Sequence, residues 1–438
     1  MPPRAPCASA DDRPRRHAVS YAAEVPSVAP SPAEGTAVVV GGGPGGLMAA
    51  QVLAGAGVRV TVVEHRPSVG RKFLLAGRSG LNLTHSEPID DMLARYGDRR
   101  RYVEHAVRAF DASSLRAWAA DLGEPTYVGT SGRVFPRSSR ATSLLRSWLR
   151  RLDELGVEWW TRTIWTGWAA DGALRFERGD GEVVTVRPDI TVLALGGASW
   201  PRTGSDGSWV ALLRGVGVEV ADLLPANCGV MVDWRDEFVE RHAGSPLKNV
   251  AVRVDGAALP AVRGDAVVTR LGLEGGPVYA VSAALRDMVV RDGTATLLVD
   301  LQPDLSVDRL TDRLRRRRPK DSWSSTLKRT VGLSPAAVAF VREVVPSLPG
   351  DAVELATVLK AVPVIVTAVA PIDRAISSAG GVVFSEVDDA FMLRRRPGTF
   401  VVGEMLDWEA PTGGYLLQGT FSTAVAAARG ALRWRQER

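Results

Sequence analysis

The sequence predicts an α/β protein whose parallel-sheet domain is split in two by a strand-rich insert. Three observations predict it. Residues 36–64 read as strand, glycine turn, helix and strand. Residues 399–434 restore that pattern: a strand ends in Gly403-Glu404, a glycine-rich loop follows at 411–419, and an alanine-rich helix runs from Thr420. Between them, from Val218 on, short strand candidates stand at irregular intervals.

Residues 38–40 are apolar and β-branched, which suits a strand buried on both faces. Gly41, Gly43 and Gly46 follow with G-x-G-x-x-G spacing, enclosing Pro44 and Gly45. If a dinucleotide binds here, each glycine has a job. Gly41 allows the tight turn, Gly43 lets the backbone approach a pyrophosphate, and Gly46 lets helix and strand pack closely. The helix N-terminus then turns free N–H groups and partial positive charge toward the phosphates. Glu64, 21 residues after Gly43, can accept hydrogen bonds from a ribose hydroxyl, and it would repel a 2′-phosphate. A bare glycine triplet is weak. Its place after a strand, before a helix and ahead of an acidic strand tip sets this one apart from a glycine-rich loop.

The 438 residues allow two or three domains, and 45% hydrophobic content suffices for substantial cores. A net charge of +5 is too mild to imply a nucleic-acid partner by itself. Cys7 and Cys228 are the two cysteines, and Cys7 lies in a tail, which fits a reducing, cytoplasmic setting. Without a C-x-x-C pair, dithiol–disulfide exchange is excluded. Two cysteines and five scattered histidines give no metal-ligand spacing, so no metal is expected. Residues 36–58 are uncharged, but their five early glycines and Pro44 suit a buried turn and not a membrane span. Residues 1–34, rich in Pro, Ala, Ser and Arg, read as a disordered tail or an early-start artefact.

Residues 66–87 read as a loop over a ligand, or equally as a solvated surface loop. Arg71 and Lys72 could hold phosphate or ribose there, and Asn82, Thr84 and His85 offer hydrogen bonds. Residues 89–155 look mostly helical, interrupted by a hairpin candidate at 127–140. Arg133, Arg137 and Arg140 on it could face an anionic substrate, although a solvated loop explains them too. Residues 157–164, 173–177 and 183–186 fit a small antiparallel meander. Residues 190–195 form a buried strand running into Gly196-Gly197, where glycines bring backbone close to a cofactor at the carboxyl edge of a parallel sheet. Residues 208–216 read as a helix. In the insert, 230–232, 251–254, 267–269 and 294–301 are strand candidates. Residues 305–348 are helical and basic, with four arginines at 315–318. A solvated helix face is the simplest account of these arginines; a nucleic-acid or membrane-surface patch is the sharper one. No aromatics interleave with them, which argues against single-strand binding.

Taken in order, these motifs resemble the BaiN/YhiN-like, or aminoacetone-oxidase-like, FAD-dependent flavoproteins. GGGPGGLMAA at 41–50 is similar to the family's first fingerprint, and GRKFLLAGRSGLNLTHSE at 70–87 to its second motif. LALGGASWPRTGSDG at 193–207 resembles its mid-chain turn. PANCGV at 225–230 and PLKNV at 246–250 resemble the start of its insert. AGGVVFSEVD, PGTFVV and GEMLDWEAPTGGYLLQGTFSTA, spanning 379–424, resemble its C-terminal signature. The wider family has Gly-Gly-Gly-Arg-Cys-Asn in the second motif. Here Gly77-Arg78-Ser79-Gly80-Leu81-Asn82 displaces the arginine and lacks the cysteine, which points to a subgroup.

The resemblance implies a bacterial, cytoplasmic oxidoreductase with a Rossmann-type FAD-binding domain, a β-barrel-like insert and a small helical subdomain. The implied boundaries are a tail at 1–34, FAD domain at 35–207 and 376–438, insert at 208–304 and 351–375, and helical subdomain at 305–350. FAD would contact Gly41, Gly43, Pro44, Gly45, Gly46, Glu64, His65, Arg71, Lys72, Asn82, Thr84 and Gly196. From the C-terminal signature it would meet Gly403, Glu404, Gly413, Gly414 and Gln418. The loop 412–419 and a helix from Thr420 would reach the flavin ring, where a helix N-terminus stabilises the reduced form's charge. Tyr415 and His85 are the candidate acid–base groups. No second glycine fingerprint marks a nicotinamide domain, so NAD(P)H would dock transiently or oxygen would serve as oxidant. The partner is then a small-molecule substrate. The alternatives are a flavoprotein acting on RNA through the basic insert, and a non-catalytic flavin holder.

Overall fold

The computed structural model describes residues 35–77, 80–318 and 320–438. The expected tail, Cys7 and the displaced Arg78 lie outside the described residues.

Strand β1 (Thr36–Val40) leads through helix α1 (Pro44–Gly55) to β2 (Arg59–Glu64). Helix α2 (Arg71–Ala76), β3 (Glu158–Thr161) and β4 (Ile190–Leu193) follow. After the insert, which includes helix α3 (Gly276–Asp292), come β5 (Thr399–Val401) and α4 (Tyr415–Gln436). The five strands form one parallel sheet in the order β5-β4-β1-β2-β3. Strands from opposite ends of the chain therefore lie in one sheet, β1 separated from β5 only by β4. Near-continuous burial of β1, β4 and β5 fits a sheet covered on both faces.

The insert contributes a seven-stranded antiparallel sheet. Its two edge strands, Val362–Val366 and Ala368–Val369, follow each other directly along the chain. Apolar side chains gather into two main buried clusters. One surrounds the parallel sheet and α4, and the other is drawn from residues between Val230 and Val366. The antiparallel ribbon of Val220–Ala226 and Ser377–Val382 joins them.

Several expectations need correction. The stretch 66–87 is not one loop, because it holds α2 and the short strand Thr84–His85. The hairpin is present as Thr126–Val128 paired with Arg133–Pro136, and Thr84–His85 adds a third strand to it. Residues 157–164 do not all belong to the meander. Arg162, at φ 51, turns the chain between β3 of the parallel sheet and Thr163–Trp168 of the meander. The C-terminal helix begins at Tyr415 and not at Thr420, since only Gly413 and Gly414 need left-handed backbone (φ 144 and 96), while Leu416, Leu417 and Gln418 suit a helix. Helices Asp236–His242 and α3 stand where only strands were expected.

Candidate flavin and substrate site

The glycine fingerprint is built as its spacing requires. Gly41 turns at φ 110, and a Cβ there would lie 2.3 Å from the Ala194 carbonyl oxygen. A Cβ at Gly46 would lie 1.9 Å from the Gly41 oxygen, so helix and turn touch through glycine alone. Gly43 is the N-cap of α1, Pro44 opens the helix, and no side chain caps it. A Cβ at Gly43 would meet nothing within 4 Å. The N-terminus of α1 thus faces open space with uncapped N–H groups, the form of an anion site.

The other end of the chain reaches the same place. A Cβ at Gly45 would touch Thr420 at 3.3 Å, and one at Gly403 would touch Thr420 at 3.1 Å. The N–H of Gly403 donates to Thr423 Oγ1 at 3.1 Å. Gly414, the N-cap of α4, lies against the Thr84 backbone, 2.6 Å from where its Cβ would sit. Thr84 Oγ1 donates to Gln418 Oε1 at 2.6 Å, and both residues are fully buried. That bond pins the second motif to α4 and leaves neither side chain facing an open groove.

Glu64 ends β2. Its Oε2 accepts from the Gly42 N–H at 3.0 Å and its Oε1 from the Arg66 N–H at 2.8 Å, with His65 alongside at 3.5 Å. Lys72 Nζ lies 2.7 Å from both Glu404 Oε2 and Ser199 Oγ. Glu404 also accepts from the N–H groups of Ser378 (2.8 Å) and Gly197 (3.3 Å). Lys72 and Glu404, 332 residues apart, therefore form one hub with the turn after β4. Gly196 sits at φ 73 in that turn. Arg71 is not drawn into the hub; its guanidinium reaches Ser68 Oγ at 3.3 Å.

His65 Nε2, Arg66 Nε, Asn82 Oδ1, Ser205 Oγ and Thr412 Oγ1 are buried atoms without a hydrogen-bond partner. Such atoms are costly unless something satisfies them. They lie on the segments after β2 and β4, in the second motif and in the C-terminal loop, which is where an extended cofactor would need contacts. The residues present fit FAD.

Beside this region lies a cavity of about 890 Å³. Arg95, Arg99, Trp408, Thr412 and Tyr415 line it from the first core, and Arg263, Tyr279, Ala280 and Ala284 from the insert. Tyr415 stacks on His85 at 5.4 Å. His85 is committed: Nδ1 accepts from the Glu87 N–H at 3.2 Å, so Nε2 donates to the Ser131 oxygen at 2.9 Å. Burial pushes the Glu87 carboxyl up, but hydrogen bonds from Arg95 and Tyr415 outweigh it and hold the group below its ordinary value. Burial, together with the Glu87 carboxylate, raises the Tyr415 phenol. Burial also raises Asp407 despite its 2.7 Å bond to Arg99.

Residues 35–430 match the family described as HI0933-like protein Rossmann domain. The chain belongs to this family. It is a family of FAD-dependent oxidoreductases, the one its motifs resemble, and the chain is an enzyme of that class. The 3-dehydro-bile acid delta(4,6)-reductase of Clostridium scindens is 25% identical over 412 residues, covering 90% of this chain and 98% of the relative. The ribosomal RNA dihydrouridine synthase of Escherichia coli is 23% identical over 411 residues, covering 90% and 97%. Among solved structures, a 3-ketosteroid-Δ4-(5α)-dehydrogenase from Rhodococcus jostii is 15% identical with a TM-score of 0.48, covering 90% of this chain and 96% of that one.

Sequence reasoning about this HI0933-like chain missed Ser199, Ser378, Glu87, Arg95, Asn227, Arg286 and Glu409. Arg286 alone carried a signal, as the one cation between Pro277 and Val290, a stretch whose only other charge is Asp287. The others stand in loops, turns or, for Ser378, the ribbon strand, where the pairing of the side chains is set only by the fold.

Proposed function

We propose that this protein is an FAD-dependent oxidoreductase acting on a bulky organic substrate held in the 890 Å³ cavity. One observation carries the reading. The open N-terminus of α1 at Gly43 and the glycine-capped start of α4 lie in elements that touch through Gly45 and Thr420, and Tyr415 on α4 reaches the cavity. A cavity of that size is in the range of roughly 300–1,000 Å³ that ligand sites occupy. It favours a compact polycyclic or similarly large enone over a very small amine, and the bile-acid reductase relative points the same way.

Gly41, Gly43, Pro44, Gly45 and Gly46 would hold the cofactor's pyrophosphate, and Glu64 with His65 its ribose. Asn82, Gly196, Gly403, Gly413 and Gly414 would follow its length, with Arg71 at the outer rim. Lys72, Glu404, Thr84 and Gln418 would act by fixing the backbone around it. When bound, FAD supplies hydride acceptance or donation at N5, with NAD(P)H or oxygen as the second partner. The chain's part is to orient substrate and hold protons. His85 spends both ring nitrogens on backbone, and the Tyr415 phenol gives its hydrogen to Glu87, so only the Tyr415 oxygen is left to accept a hydrogen bond from substrate. The seven-stranded sheet is read as a barrel-like insert, with 305–350 as its helical subdomain and cytoplasmic residence as the setting.

The test is a visible spectrum of the purified protein, followed by anaerobic addition of NADH, NADPH and a panel of cyclic enones. Flavin absorption that bleaches with a nicotinamide and returns with an enone supports the reading. A protein that cannot be loaded with FAD overturns it.

A second reading has its own observation. Arg316, Arg318, Lys320 and Lys328 are exposed and have no ion-pair partner among the described residues. Arg317 stacks 4.3 Å over Trp323, an aromatic that the linear sequence did not place beside the arginines. The relative that acts on ribosomal RNA makes this basic surface a candidate RNA contact. Binding that falls steeply with salt and is lost in Arg316→Ala/Arg318→Ala supports it; salt-insensitive or absent binding removes it.

A further inference from the structure

We propose that Arg286 is a positioning residue that fastens the insert to the loop leading into α4, so that the cavity and the flavin site share one wall. The proposal rests on the FAD reading above. Helix α3 lies along the cavity, with Ala280, Ala284 and Asp287 lining it. Arg286, on the same helix, has a side chain only 6% exposed. Its Nη2 donates to Glu409 Oε1 at 2.8 Å and its Nη1 to Glu409 Oε2 at 3.1 Å. Nη1 also reaches the Pro225 oxygen at 3.1 Å, and Nε reaches Asp287 Oδ1 at 2.9 Å. Burial would lower the guanidinium's pKa, but the Glu409 carboxylate outweighs it and raises it.

This is a planar fork meeting a carboxylate in two parallel bonds, an arrangement that fixes geometry as well as charge. Here the cation is buried and the carboxylate is 32% exposed; burying a charge in a pair seldom adds net stability over apolar packing, so the geometry is the more telling property. Glu409 heads the segment that passes through Thr412 to the N-cap Gly414. The next residue is held as well: Asn227, at φ 52, donates to the Ala410 oxygen at 2.8 Å and to Ser377 Oγ at 2.8 Å. Two consecutive residues of the loop are thus gripped by the insert and by the ribbon at its root. Helix α3 thus lines the cavity and also holds the loop that starts α4.

The experiment titrates FAD into the apo forms of wild type, Arg286→Lys, Arg286→Gln, Glu409→Gln and the double Gln variant, recording visible spectra and apo Tm. Arg286→Gln weakens FAD binding at least tenfold and shifts the bound flavin's absorption. Arg286→Lys recovers part of the affinity. The double variant binds better than Arg286→Gln, because the half-buried Glu409 carboxylate is no longer left without its cation. If Tm falls while FAD affinity in the folded protein stays within twofold of wild type, the pair is structural only and the proposal is overturned. If Arg286→Gln does not fold, Glu409→Gln and Arg286→Lys decide by the same criterion. Failure of wild type to take up FAD overturns the functional reading and this proposal with it; uptake by wild type with unchanged variants overturns this proposal alone.

Discussion

At the scale of single residues, Gly43 and Gly46 separate fold from function. A Cβ at Gly46 would sit 1.9 Å from a backbone oxygen, whereas one at Gly43 meets open space at φ −82. Gly46→Ala should therefore destabilise the apo protein by about 3 kcal/mol. Gly43→Ala should leave apo stability within about 0.5 kcal/mol while weakening FAD binding; denaturant melts and a flavin titration read the two effects separately. Glu87 gives a pH signature. Its carboxyl is held below its ordinary value in the fold, so its contribution is fully present above that value and is lost as pH falls through the depressed one. Glu87→Gln should show a shallower fall of Tm below about pH 4.5 than wild type, and equal slopes would contradict the assignment. The tight turn at Gly41 and the close packing at Gly46 were legible in sequence, because the glycine spacing stands between a strand and a helix. The Thr84–Gln418 bond was not, since nothing local signals a partner 334 positions away.

Among elements, the Lys72–Glu404 pair joins α2 to the turn after β5. Its side chains are 27% and 16% exposed, so the cost of breaking it lies between that of a surface pair and a buried one. Lys72→Met should lower stability by about 2 kcal/mol, measured by denaturant melts, and should loosen FAD binding through the displaced turn. Helix α3 escaped the sequence reading because both faces are largely apolar, one toward the insert sheet and one toward the cavity. No clean amphipathic period remains in such a helix. The early start of α4 escaped for a simpler reason: Gly413, Gly414 and Gly419 make 411–419 read as one glycine-rich loop, whereas Gly414 is already the N-cap and Gly419 lies inside the helix.

For the whole molecule, two buried clusters joined by a ribbon predict two unfolding steps. Added FAD should raise the midpoint of the step belonging to the parallel sheet by mass action. A single cooperative transition with and without FAD would contradict separate units. The split of the parallel-sheet domain was readable from sequence because the same strand–glycine–helix pattern stands at both ends of the chain. The pairings of the insert were not, because three of its seven strands have only two or three residues and antiparallel neighbours are chosen by long-range packing.

The central claim is that segments near the two ends of the chain grip one flavin. Hydrogen–deuterium exchange with and without FAD tests it most directly. The account predicts added protection at residues 41–47 and at 412–418 together, in the same concentration range. Protection of one segment without the other, or at separate FAD concentrations, would contradict it.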